Sequence, residues 1–352
     1  MAKVQPQFIE FHDKIRLGTY DENATLREKR KTLLDDLKNG LKELFEEKGG
    51  AQPDYHTINQ GSYKINTGNK PVEGDYDLDL GVIFHIRKED YSDPVTVKKW
   101  VYDALTRPNR TVEMRGPCVR VQYIKDGKPD HHVDLAVYAG GSDGNGSRSL
   151  ARGKLNSEEA SRVWEDADPE GLTQKINDRH QDKDAEQFRR VVRALKRWKQ
   201  EKFALGGNGA PPSIGLTLAA YEWFGPEKIL KDLVQGTYEY DDRLALEKLV
   251  RTMLSKFQGP EGSRRLSVNL PVSPWTDVFT RMTDTQQEAL YTRLVALGNA
   301  LEAAGAESSR KKACEKLRGQ FGSDFPVPED EEPKDEAKRF TAPAYVGSTQ
   351  GA

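Results

Sequence analysis

Cysteine is scarce in this chain of 352 residues: Cys118 and Cys314 are the only two. Two thiols exclude a disulfide framework and a four-thiolate zinc site. Histidine is nearly as rare, and none of His12, His56, His85, His131, His132 and His180 has a cysteine at ligand spacing. A zinc cluster of one histidine and three cysteines is therefore excluded as well. His131 and His132 stand close to Asp134, but the expectation is that one ring faces solvent and the other packs. An excess of charge is also missing, since Lys+Arg 54 against Asp+Glu 56 gives −2. That rules out a protein that coats nucleic acid over its whole surface and leaves room only for a local basic groove. No apolar run reaches the ~18 residues of a membrane span. The first residues, MAKVQPQFIEFHDK, show no apolar signal core, so a cytoplasmic address is expected. No repeat of period ~20–50 residues is found.

What is present suits a folded, polar-surfaced protein of ~2 domains at roughly 150 residues each. Aromatics reach 9% and recur with apolar residues at clear periods, which separates the chain from a disordered one. Leu33, Leu34, Leu37, Leu41, Leu44 and Phe45 follow the i, i+3/i+4 rule and predict a helix over Thr25 to Lys48, stopped by Gly49-Gly50. A short strand, Tyr55 to Asn59, a turn at Gln60-Gly61-Ser62, and the apolar, β-branched strand Tyr76–Phe84 follow. Val95–Leu105 reads as a helix after Pro94. Cys118–Ile124 and His132–Tyr138 read as strands on either side of the turn Asp126-Gly127-Lys128-Pro129. Gly140–Gly146 reads as a Gly-rich connector. From Ser157 the pattern is helical, with helices expected at Glu158–Asp166, Asp184–Phe203, Ser213–Phe224, Asp241–Phe257 and Asp284–Ala304, and a break at Gly206–Pro212. Glu329–Lys338 is acidic and expected to be solvated, and Phe340–Ala352 reads as a flexible tail.

The chemistry concentrates in Gly61–Phe84, GSYKINTGNKPVEGDYDLDLGVIF. Asp77 and Asp79 are two apart on a predicted strand, so their carboxylates share a face. Two adjacent negative charges call for a cation between them, and hard oxygen donors suit Mg²⁺ with substrate phosphates in its shell. Asp75 continues the alternation and is an alternative ligand in a shifted register. Asp134, the one acid on the apolar strand His132–Tyr138, could complete a two-metal site. Such a site would activate a hydroxyl and steady a leaving pyrophosphate. Gly61 would let backbone approach a phosphate to which Ser62 can donate. A D-x-D alone is usually solvated surface. The specific signal is its conjunction with an upstream Gly-Ser and a later strand bearing one acid.

A second feature is the helix Asp184–Phe203. Phe188, Val191, Val192, Leu195 and Trp198 form its apolar stripe, and Arg189, Arg193, Lys196 and Lys199 line another face, with a helix net charge of +4. Charge alone favours a solvated amphipathic helix over a triphosphate-neutralising face. Ser213 opens the next helix, as N-cap or as a phosphate donor.

These residues resemble the nucleotidyltransferase superfamily of DNA polymerase β type. Within it, the chain is most similar to the bacterial cGAS/DncV-like nucleotidyltransferases (CD-NTases) of CBASS anti-phage defence. The matching lines are QGSYKINTGNKP (Gln60–Pro71), DYDLDLGVIF (Asp75–Phe84), HVDLAVY (His132–Tyr138) and, more loosely, FRRVVRALKRWKQ (Phe188–Gln200) with the Ser213 helix. The resemblance spans roughly residues 24–325.

It implies an α+β, bilobed fold: a mixed β-sheet lobe with an N-terminal helix (1–150), a helical bundle lobe closing a nucleotide cleft (151–325), and an acidic linker with a flexible tail (326–352). It implies Asp77, Asp79 and Asp134 as ligands of two Mg²⁺ ions, with Mn²⁺ as substitute, and Asp134 as general base. Gln60, Gly61 and Ser62 would form the donor-phosphate loop, with Lys196 and Ser213 on the triphosphate. The expected reaction condenses NTPs, ATP among them, into a cyclic di- or trinucleotide messenger. Linear synthesis, nucleotidyl transfer to RNA or protein, an inactive nucleotide sensor and a nucleic-acid-binding module are the rivals. Activation by double-stranded DNA is disfavoured without a zinc thumb. Pro271–Asp277 resembles a family turn near the acceptor base, with Leu270 in place of an acid. The tail Thr341–Ala352 fits a segment conjugated by a ubiquitin-transfer-like accessory protein and equally an ordinary terminus.

Overall fold

A computed structural model describes residues 2–18, 24–72, 76–108, 110–125, 128–140, 148–204 and 209–329, leaving out the side chains of residues 25, 26, 76, 77, 125 and 128–130. The Gly-rich connector (beyond Gly140), residues 206–208 of the expected break, Asp126 and Gly127 of the expected turn, Asp75 and all of the tail after Glu329 lie outside the described residues.

The first lobe is built on a mixed sheet. Its strands are β1 (Tyr55–Asn59), β2 (Tyr76–Phe84), β3 (Arg110–Met114), β4 (Val119–Lys125), β5 (Lys128–Ala139), β6 (Arg148–Ala151) and β7 (Trp164–Ala167). The order is β1-β2-β5-β4-β3, with β6 bridging β5 and β7, and β2 lies parallel to β5 while the other pairs are antiparallel. The helices α1 (Gln5–Ile15), α2 (Ala24–Glu47), α3 (Gly61–Lys64) and α4 (Pro94–Leu105) precede or interrupt it. Alternation sorts each strand: Leu78, Leu80, Val82 and Phe84 of β2 and Val133, Leu135 and Val137 of β5 are buried with Leu33, Leu37 and Leu41 of α2 and Trp100 of α4. Asp79 and Asp134 occupy the alternate positions, on the opposite face. Helices α2 and α4 approach closely, because a Cβ on Gly40 would collide with the Ala104 backbone.

The second lobe contains α5 (Pro169–Asp178), α6 (Asp182–Lys202), α7 (Ser213–Trp223), the hairpin β8–β9 (Lys228–Asp232, Thr237–Tyr240), α8 (Asp242–Ser255), α9 (Asp284–Ala306) and α10 (Arg310–Phe321). Its core includes Val191, Leu195 and Trp198 of α6, together with Phe8, Phe11 and Ile15 of α1. The lobes are therefore not consecutive halves of the chain. The N-terminal α1 packs in the helical core, where Phe8 and Phe11 meet Phe321 and Phe325 at centroid distances of 5.1–6.2 Å. Strand β7, beyond residue 150, belongs to the sheet.

One predicted helix is a correction. Glu158–Asp166 forms a short 3-10 turn (Glu159–Ser161) and then β7, because Trp164–Ala167 pairs with β6. The helix starts later, where Asp168 accepts from the Gly171 N–H and Pro169 takes the first helical position. The histidine expectation is a second correction: both His131 and His132 are buried, on a strand that is central in the sheet between β2 and β4. His131 stacks on Tyr123 at 4.3 Å and lies 3.1 Å from Lys29 Nζ.

Candidate active site

The register of β2 against β5 sets the centre of the site. Asp79 pairs with Asp134, and Asp77 pairs with His132. Neighbouring strands lie about 4.8 Å apart, so the Asp79 and Asp134 backbones are adjacent and their side chains leave one face. Asp77 stands two residues before Asp79; its side chain lies outside the described residues, so its part in the acidic group stays an expectation.

Gln60 and Gly61 are threaded into this centre by backbone geometry. The Gln60 N–H donates to the Asp79 carbonyl at 3.0 Å. Gly61 opens α3 with φ +62, a left-handed value that glycine adopts freely. A Cβ at Gly61 would collide with the Asp79 carboxylate. Beneath them, the Tyr138 hydroxyl donates to Gln60 Oε1 at 3.2 Å, and Gly81 leaves the space that the Gln60 amide fills. Burial pushes the Tyr138 phenol up, so it remains a donor.

Asp134 is held from its far side. Arg120, its register partner on β4, donates from Nε to one carboxylate oxygen at 2.7 Å and from Nη2 to the other at 2.6 Å. Cys118 also lies against Asp134; burial, then the Asp134 charge, pushes its thiol up to about 12. Lys98, buried beneath the β3–β4 turn, donates to the carbonyls of Arg115, Gly116 and Gly153 at 2.5–2.8 Å, which fixes the turn from which Cys118 and Arg120 project.

A cavity of about 520 Å³ opens between the lobes, a volume in the range of small-molecule sites. It brings Gln60, Gly61, Ser62 and Asp79 from the sheet lobe against Lys196 and Ser213 from the helical lobe. Lys199 and Glu165 line it too, and Leu270, Val272, Ser273 and Pro274 place the Pro271–Asp277 segment on its wall. Asp134 is not among the lining residues; it stands opposite Asp79 in the strand register.

The basic stripe of α6 is neither solvated nor simply turned to the cavity. Arg193 donates to the Gly68 carbonyl and to Asn66 Oδ1 at 3.2 and 2.8 Å, and Arg197 donates to the Lys70 carbonyl at 2.8 Å. Lys196 reaches Thr67 through its carbonyl and hydroxyl at 3.2 and 3.0 Å. These bonds tie the 66–70 loop of one lobe to the central helix of the other. Ser213 is the first residue of α7 rather than its cap, which is Pro212. Its hydroxyl instead accepts from Lys199 Nζ at 2.7 Å.

The donor set suits a hard divalent cation. Asp79 and Asp134 offer carboxylate oxygens on one face, and the absence of a side chain at Gly61 lets the Asp79 carboxylate lie against the α3 backbone. Among the described residues no group of three or more His, Cys, Asp or Glu converges on one point. Sequence reasoning missed Arg120, Cys118 and Tyr138, although each lies within fifteen residues of, or on, the strand that carries Asp134. The strand period would have placed Arg120 and Tyr138 on their faces, but the register that joins β4 to β5 is not written in either strand alone.

Residues 55–138 match the family described as cyclic GMP-AMP synthase DncV-like, nucleotidyltransferase domain. Among curated protein sequences nothing matches the chain. The fold is that of solved synthases. *Vibrio cholerae* DncV cyclic AMP-GMP synthase in complex with the linear intermediate 5′ pppA(3′,5′)pG is 18% identical, with TM-score 0.64 over 91% of this chain and 97% of that one. The *Bradyrhizobium diazoefficiens* CD-NTase CdnG in complex with GTP is 16% identical, with TM-score 0.67 over 91% and 95%. *Escherichia coli* DncV in a 3′-deoxy GTP bound form is 16% identical, with TM-score 0.65 over 89% and 93%.

Proposed function

We propose that this protein condenses NTPs, without a template, into a cyclic di- or trinucleotide messenger, a reading supported by the match of residues 55–138 to the DncV-like nucleotidyltransferase domain and by a fold similar to that of the solved synthases. The observation that carries the proposal is the pairing of Asp79 with Asp134 beside a cavity lined from both lobes.

In each step a ribose hydroxyl attacks an α-phosphate and pyrophosphate leaves. Asp77, Asp79 and Asp134 would hold two Mg²⁺ ions, which supply charge neutralisation and in-line orientation when bound. Gln60, Gly61 and Ser62 seat the donor phosphates from the sheet side, with Tyr138 orienting the Gln60 amide. Lys196 and Ser213 meet the triphosphate from the helical side, and Thr67 and Lys199 set where their polar ends lie. Asp134 would also serve as the general base for the attacking hydroxyl. The walls at Leu270, Val272 and Pro274 are apolar and keep water from competing for the phosphate. Anti-phage signalling by the product extends the proposal on the strength of the sequence resemblance. Conjugation of the tail concerns Thr341–Ala352, which lie outside the described residues.

The deciding experiment incubates purified protein with all four labelled NTPs and Mg²⁺ or Mn²⁺, then applies phosphatase and mass spectrometry. A phosphatase-resistant product of cyclic mass supports the reading. A product that loses terminal phosphate indicates linear synthesis, labelled RNA or protein indicates transfer to a macromolecule, and nucleotide binding without turnover indicates a sensor.

A further inference from the structure

The acidic centre has its own cation. Asp79 and Asp134 face each other in register on adjacent strands, an arrangement in which like charges are destabilising. The next strand answers it: Arg120 stands opposite Asp134 on β4, and its guanidinium engages both carboxylate oxygens at 2.7 and 2.6 Å. The pair is mostly shielded, with side-chain exposures of 21% for Arg120 and 17% for Asp134, so solvent screens it little. Glu113, which faces Arg120 from β3, does not compete, because Arg115 takes its carboxylate at 2.9 Å. The two-pronged grip is the geometry by which arginine binds a carboxylate most strongly.

We infer that Arg120 is the resident counter-charge of this centre and that a divalent cation binds Asp134 in competition with it. This inference rests on the reading of Asp79 and Asp134 as cation ligands and deepens it by naming what regulates cation entry. A guanidinium held on the carboxylate repels an incoming divalent ion and occupies oxygen lone pairs that the ion needs. Without an ion, the same guanidinium holds together strands whose acids would otherwise repel. Arg120 is therefore a positioning residue: it keeps Asp134 aimed while the centre is empty of metal, and it yields when metal arrives. Cation binding then becomes the step that frees the third carboxylate. The centre is correspondingly biased toward low affinity in the absence of nucleotide, whose phosphates bring negative charge to the ion.

The test is Mn²⁺ binding to the purified, nucleotide-free protein by calorimetry, with thermal unfolding measured in chelator and in Mn²⁺. Arg120→Gln is expected to bind Mn²⁺ at least fivefold more tightly than the wild type, to unfold at lower temperature in chelator, and to gain more from Mn²⁺. Arg120→Lys keeps the charge without the fork and is expected between the two; it also serves if Arg120→Gln does not fold. Variants that bind Mn²⁺ as the wild type does, or more weakly, overturn the competition. Asp79→Asn is the control for the underlying reading. If it leaves wild-type Mn²⁺ binding unchanged, the cation site itself is misassigned, which is a separate failure from that of Arg120.

Discussion

The carboxylate of Asp79 stands where a Cβ on Gly61 would have to go, and Gly61 also carries φ +62. Two independent constraints thus exclude a side chain at this position. Gly61→Ala is expected to cost about 2 kcal/mol of stability, roughly half of it backbone strain, and to lower product formation at least ~100-fold by displacing Asp79. Gly49 separates the two effects, since it has φ +64 and nothing within reach of an added Cβ. Gly49→Ala should show only the strain, about 1 kcal/mol, with activity retained. Denaturant unfolding and turnover measured on both variants check this, and equal activity in the two would remove the steric argument.

Asp79→Asn and Asp134→Asn are each expected to abolish product while leaving the circular dichroism spectrum intact, as is Asp77→Ala combined with Asp79→Ala. Stability should separate the two single variants. Asp134→Asn leaves the Arg120 guanidinium facing a neutral amide and is expected to destabilise by about 2–3 kcal/mol. Asp79→Asn removes one of two facing charges and should be milder in the absence of metal. Urea titrations in chelator decide the order; a more stable Asp134→Asn would contradict it.

Ser213 offers a cleaner separation of structural from binding roles. It lies within α7, and its hydroxyl meets Lys199 at 2.7 Å rather than capping the helix. Ser213→Ala should leave stability within about 0.5 kcal/mol, whereas loss of a true cap costs about 1 kcal/mol. NTP affinity should fall at least ~10-fold, in line with one lost hydrogen bond to a charged group. Unchanged affinity alongside a lowered melting temperature would return Ser213 to a capping role.

The elements that declared themselves in the sequence are those whose period is local. Leu33, Leu37 and Leu41 marked α2, and the alternation in Tyr76–Phe84 marked β2 to the residue. The acids Asp79 and Asp134 could be picked out because a charge on an apolar strand breaks its own pattern. Other features depend on partners distant in sequence. Strand β7 exists because Trp164–Ala167 finds β6; of its four residues only Trp164 favours a strand. Arg193 and Lys196 read as part of a solvated stripe, since only the fold brings the Gly68 carbonyl and Thr67 to them. Arg120 escaped notice for the same reason: its meaning lies in the register of β4 against β5. Helix α1 is a different case, because Phe8, Phe11 and Ile15 do follow a helical period, but the segment is short and its burial comes from α10 and Phe325.

His12 on α1 gives the protein an acid sensitivity that its carboxylates do not explain. Burial, followed by the charges of Arg193, Arg190 and Arg16, lowers its pKa from 6.5 to about 3. The ring is thus neutral in the folded protein across a range where the unfolded chain protonates it. Between those two values the unfolded state binds more protons, so stability is fully present above pH 6.5 and is lost as the pH falls below it. His180 and His56 are lowered too, chiefly by burial, and contribute in the same direction. The share of His12 is therefore read as a difference between proteins. Urea unfolding of the wild type is expected to show stability declining from about pH 6.5 to pH 5, a window above the range in which ordinary carboxylates titrate. His12→Gln, which cannot take up the proton, should decline less steeply over the same window. Parallel slopes for the two proteins would mean that His12 can be protonated without cost and that its contact with the arginines of α6 is looser than the packing of α1 against that helix implies.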